Sequence, residues 1–259
     1  MLVISGSLHP RPRVIDCQGA GASTQVDAEG WRDHLALGSA PPDAGQLCHG
    51  SGVIELDDVV VAADALRVLA SRGDDERAWQ SVARPTSWTT ARTVEHIADA
   101  LLFYVGQIAR RADRRLPVLR NGRDAPPSEQ LDNVVTAAHV LVGQLRELGV
   151  GRAWHPSGSA DATGWAGMAV TELLVHGSDA AHALTVEFVL PAQVCRRTVA
   201  RVFPWVDPDS APAADLLLAV TGRLQVPGVA QDPHWWWQSA PLREWDGQPR
   251  RRDAPPGWR

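Results

Sequence analysis

Glu172 and His176 stand four residues apart in the run Glu172-Leu173-Leu174-Val175-His176. On an α-helix that spacing puts a carboxylate and an imidazole on one face about one turn apart, close enough to chelate a single ion. Asp179 follows three residues later, where a carboxylate can hold the second N–H of a ligating imidazole. A further histidine, His96, lies in an earlier run of helical period from Thr93 to about Arg111. On that run Val94, Ile97, Ala98, Leu101, Val105 and Ile108 form an aliphatic stripe, with His96, Ala100, Phe103 and Gln107 opposite. The later helix, expected over about 165–184, divides the same way. Val170, Leu173, Leu174, Gly177, Ala181 and Leu184 oppose Trp165, Glu172, His176 and Asp179. Such polar stripes are ordinarily the wet faces of amphipathic helices. Phe103 and Trp165 share them, however, and large aromatics suit a second interior surface, such as a pocket between helices.

Other reactive groups carry weaker signals. His182 lies about 120° round the helix from His176 and is expected at the surface. His139, among apolar positions of a third helix, reads as a core or boundary residue rather than a ligand. Asp99 shares with Asp179 the expectation of backing a ligating imidazole. Arg223 is a candidate grip for an anionic substrate group, because guanidinium holds carboxylates in bidentate fashion. Cys17, Cys48 and Cys195 lie far apart, with no CxxC pair and no GxSxG elbow in the chain, so no disulfide framework, zinc knuckle or serine triad is indicated.

These side chains need rigid elements behind them, and the sequence supplies helices. Asp57 or Asp58 can cap a first helix ended near Gly73. Thr89 or Thr90 caps the second, whose end is marked by Arg110, Arg111, Arg114 and Arg115, read as a solvated helix terminus, and by Pro117. Pro126, Pro127 and Ser128 open the third, with Gly149 after its end. A loop from Gly151 to Gly164 leads to the fourth. Two helical stretches, Pro191 to Phe203 and Ala211 to Thr221, precede a tail dense in Pro and Trp, where Trp235-Trp236-Trp237 can pack on the bundle or line a pocket. The pattern predicts a mainly α protein in three parts: a poorly ordered leader at 1–52, a helical bundle at 53–190, and a small C-terminal segment at 191–259 packed on that bundle. A translation start further in, for example at Val53, is a second reading of the leader.

The chain has 259 residues, 44% of them hydrophobic, and a formal net charge of -5 with no lysine. That balance argues against nucleic acid and anionic membranes as partners. No apolar stretch approaches the roughly 18 residues of a membrane span, and Met1 to Leu8 lacks a secretory pattern. A cytoplasmic monomer or homodimer is expected.

The runs Trp88-Thr89-Thr90, Thr93-Val94-Glu95-His96-Ile97-Ala98-Asp99-Ala100-Leu101 and Glu172-Leu173-Leu174-Val175-His176 resemble the DinB-like superfamily. Within it the likeness is to the mycothiol-dependent maleylpyruvate isomerase group, over about Val53 to Trp245. The resemblance implies a four-helix bundle with a small C-terminal extension. It also implies a divalent ion, usually zinc, on His96, Glu172 and His176, and a thiol cofactor, mycothiol. Three protein ligands leave a coordination position open, as catalytic sites do. A thiol deprotonated there would add to a small electrophilic molecule, giving transfer or, after rotation and release, isomerisation. The chain departs from the group at Thr86 and Ser87, which stand where the group has cysteine and glycine, and in a tail that matches only in short segments. Two alternatives use the same residues: a metal-dependent hydrolase, and a non-catalytic metal-binding protein.

Overall fold

Two of the three long helices begin at a residue whose side chain caps the exposed N–H groups of a first turn, and the third opens on Pro127. In the computed structural model, which describes residues 53–117 and 125–253, the Thr89 hydroxyl accepts from the Arg92 N–H and starts helix α3 at Thr90. Asp161 accepts from the Gly164 N–H at 2.8 Å and starts helix α5 at Ala162, three residues ahead of the expected start at Trp165. The expected leader lies outside the described residues.

In chain order the elements are α1 (Asp58–Ala65), which runs into a 3-10 stretch (Leu66–Arg72); α2 (Glu76–Trp79); α3 (Thr90–Ala109); α4 (Pro127–Leu148); β1 (Ala153–His155) and β2 (Gly158–Ala160); α5 (Ala162–Leu184); α6 (Ala192–Val202); and α7 (Ala213–Val220). The protein is mainly helical, and its sheet among the described residues is one two-stranded hairpin. That hairpin lies where a plain loop is expected. Its strands are too short for a period of two to register, and Gly158 turns the chain at φ 126°.

Helices α1, α3, α4 and α5 pack on one another, α3 lying against both α4 and α5. The aliphatic stripe of α5 is buried throughout, as are Val94, Ile97, Ala98, Leu101 and Ile108 of α3. Each buried Val, Leu or Ile among them contributes about 1.5–3 kcal/mol of transfer free energy, so the stripes hold the bundle without help from its polar residues. The opposite stripes are covered too: Trp165, Glu172, Asp179, His96 and Gln107 are all buried. The wet-face reading therefore fails, because these faces meet a second layer.

That layer is the C-terminal part. α6 packs on α5, and α7 packs on α6. Arg197 of α6 grips Asp58 of α1. Buried Arg201 binds Asp161 Oδ1 at 2.7 Å, the Thr163 hydroxyl at 2.8 Å and the carbonyls of Gln238, Ser239 and Ala240. The 238–240 segment comes so close to α5 that a Cβ at Gly164 would stand 2.0 Å from the Ser239 carbonyl oxygen. Arg201 thereby fixes the preceding tryptophans, of which Trp237 is the deepest at 4% exposure.

Candidate metal centre

α3 and α5 run side by side, and their facing polar stripes bring three ligating groups together. His96, from the second turn of α3, places Nε2 3.5 Å from Glu172 Oε2. His176, one turn beyond Glu172 on α5, places its own Nε2 3.3 Å from the same oxygen. The two imidazoles meet edge to face with ring centroids 5.1 Å apart. One ligand atom from each of His96, Glu172 and His176 lies within 4.8 Å of the other two.

The donor set fits a divalent cation. Tetrahedral bonds of about 2.0–2.2 Å put neighbouring donor atoms about 3.3–3.6 Å apart, which matches both glutamate–histidine separations. Both ring nitrogens of His176 face carboxylate oxygens, Nε2 that of Glu172 and Nδ1 that of Asp179 at 3.2 Å. Such a ring needs a positive charge, carried either as a second proton or by an ion at Nε2. Burial alone would lower its pKa, yet the contacts with Asp179 and Glu172 raise it. Burial alone would raise Glu172, yet hydrogen bonding to His176 and His96 holds it well below the usual carboxylate range. The site is a concentrated pocket of negative charge and lone pairs.

Behind His176 the support continues. Asp179, one turn further along α5 and buried, receives both Arg223 Nη2 at 2.8 Å and Arg223 Nε at 3.2 Å, while Arg223 Nη1 donates to the Thr221 carbonyl. The bidentate face of Arg223 is thus engaged by Asp179, although the side chain also borders the cavity described next. Asp99 meets Arg92, Oδ2 to Nη1 at 3.8 Å, and Asp179 backs the His176 ring.

The three side chains open on a cavity of about 490 Å³. One wall is Trp88, whose ring lies 4.7 Å from that of His96 and 6.3 Å from that of His176. The other is the Trp235-Trp236-Trp237 run, which both packs on the fold and lines the cavity. Arg252 lies over the rings of Trp235 and Trp236, at 5.6 and 5.5 Å. Its Nε is buried without a hydrogen-bond partner, and it has no ion pair among the described residues. A smaller cavity of about 100 Å³ lies on the other side of Glu172, bordered by Phe103, Tyr104, Arg115, His155 and Trp237. Tyr104 Oη donates to Glu172 Oε1 across 3.4 Å.

Of the expected roles, His182 and His139 are both exposed, the latter because it falls on the outer face of α4 beside exposed Val140 rather than among the buried positions. Arg115, read as part of a solvated helix end, lies over the Phe103 ring at 5.8 Å. Tyr104, His155 and Arg252 carry no signal of their own in the sequence reading. Tyr104 is the most recoverable, since it continues the His96, Ala100, Phe103, Gln107 face and is the only tyrosine in the chain. His155 sits in the hairpin, and Arg252 reaches the cavity through tertiary packing, so neither has a periodic context. No protein-family model, curated protein or solved structure matches the chain.

Proposed function

We propose that the protein is a divalent-metal-dependent transferase or isomerase that uses a small thiol cofactor, of the mycothiol type, on a small electrophilic molecule. The observation carrying this reading is the convergence of His96, Glu172 and His176 on one point in the wall of a 490 Å³ cavity. Three protein donors of this kind suit zinc with a position left for a reacting group. The thiol and the reaction type rest on the sequence resemblance.

When bound, the cation would lower the pKa of a thiol so that it reacts as the thiolate at neutral pH. The chain's own residues supply the rest. Asp179 accepts the Nδ1 proton of His176 and presents Nε2 to the ion, and Arg223 keeps Asp179 ionised and in place. Trp88 and Trp236 give apolar walls that exclude water from the reacting pair. Arg252, whose Nη2 donates to the Pro233 carbonyl and which has no ion pair among the described residues, offers its guanidinium at the far wall to an anionic group of the substrate.

The test is turnover of a panel of small electrophiles by zinc-loaded protein purified without a metal-affinity tag, with and without thiol. Conversion that needs both zinc and thiol is the expected result. Conversion with zinc alone identifies a hydrolase, and binding of zinc without conversion of any substrate identifies a binding protein.

A further inference from the structure

We propose that Tyr104 is a positioning residue of this centre: its hydroxyl holds Glu172 Oε1 away from the ion, so that Glu172 ligates through Oε2 alone and a coordination position stays open to the large cavity. The proposal rests on the metal reading above and adds the device that sets the coordination number.

A carboxylate can bind a cation through one oxygen or both. Here the two oxygens of Glu172 face different surroundings. Oε2 faces the Nε2 atoms of His96 and His176. Oε1 faces Tyr104 Oη. With both oxygens on the ion, Glu172 would fill a position that a substrate or cofactor atom needs. A hydroxyl donor on Oε1 competes for that lone pair and favours the one-oxygen mode.

The phenol is well placed to do this. Tyr104 is 2% exposed, and its ring is held by Trp165, His155 and Phe103 at centroid distances of 5.0, 5.7 and 6.0 Å. The ring cannot swing away, so the hydroxyl is a fixed point against which the carboxylate turns. At 3.4 Å the contact is longer than the usual 2.7–2.8 Å or so for O–H···O. Hydrogen bonds in unloaded sites are often long and tighten when the site fills. The smaller cavity, about 100 Å³, adjoins the same side of Glu172. It has room for a water, which occupies upwards of about 10–15 Å³ measured this way. Loss of the hydroxyl would therefore leave Oε1 to a mobile water or to the ion.

The experiment uses Tyr104→Phe, which removes one oxygen and keeps the ring. Zinc affinity of the whole chain is measured by chelator competition, and cobalt(II) in place of zinc reports coordination number through its visible absorption. The expected result is weaker cobalt absorption in the variant, showing a higher coordination number, together with a zinc affinity that differs from that of the native protein. Identical affinity and spectrum in the two proteins would overturn the proposal. A purely structural tyrosine would lower the melting temperature and leave the cobalt spectrum alone, which also overturns it. As a check needing no variant, ring-labelled tyrosine gives a single NMR signal, because the chain has one tyrosine. That signal must move when zinc is added to the native protein, and a static one counts against the proposal. If the native protein takes up neither ion, the metal centre itself fails and Tyr104 has nothing to position.

Discussion

Two clusters of buried charge lie on α5, and they differ in how completely their groups are matched. Around Arg201 every nitrogen of one guanidinium donates: to Asp161, to Thr163 and to three consecutive carbonyls of the 238–240 segment. Around Glu172, three ligating groups turn lone pairs toward one another and toward a cavity. A closed cluster such as the first can only hold parts together. The second is incomplete without a positive species, and that incompleteness separates a site from a staple.

The largest effect is expected at the closed cluster. Arg201→Met removes the cation from partly exposed Asp161, which keeps its Gly164 and Thr163 donors, and leaves the 238–240 carbonyls without theirs; with hydrogen bonds to a charged group worth about 1.5–3 kcal/mol each, a loss of about 3 kcal/mol is expected. Denaturant unfolding measures it. Because 238–240 is what anchors the Trp235–Trp237 wall, the same variant should also lose its cavity-facing tryptophan environment, visible as a red-shifted emission. A stability change below about 1 kcal/mol would erase the contrast between the clusters.

Next comes a pH effect from the hairpin. Burial pushes the His155 imidazole down to about 3, from an ordinary value of 6.5. A histidine held neutral in the fold but free to protonate when unfolded leaves stability unaffected above about pH 6.5. It then lowers stability progressively as pH falls from there toward 3. Unfolding free energies over that range should decline, and His155→Gln should flatten the decline. A decline of equal slope in the variant would place the acid sensitivity elsewhere.

Asp179→Asn is the finer probe. It keeps a hydrogen-bond acceptor beside His176 Nδ1 but removes the charge that Arg223 also uses. Zinc affinity should fall by about 10–100-fold, as it does for other carboxylates behind ligating histidines. Unchanged affinity would mean that Asp179 serves Arg223 alone.

How much of this was legible in the sequence follows from range. The i, i+4 relation of Glu172 and His176 and the aliphatic stripes of α3 and α5 are properties of single helices, and period alone reveals them. Trp165 and Phe103 on the polar faces pointed correctly to a second interior. What period cannot show is which long-range partner covers a face. Arg201 and Arg252 carry no local signal, because their partners lie about 40 and 15 residues away in sequence. The hairpin was illegible for a different reason: three-residue strands leave too little alternation to read. Arg223 read as a candidate grip for an anionic substrate group, and that its bidentate face is taken by Asp179 could come only from the tertiary fold.

The account's central claim is that His96, Glu172 and His176 share one ion. Elemental analysis of protein purified without a metal-affinity tag, then equilibrated with zinc and desalted, tests it most directly when native protein is compared with His96→Ala, Glu172→Gln and His176→Ala. The account predicts one zinc per chain in the native protein and none in each variant, with helical content retained because the aliphatic stripes, not the site, hold the bundle. Native protein free of zinc, or variants that keep it, would contradict the claim.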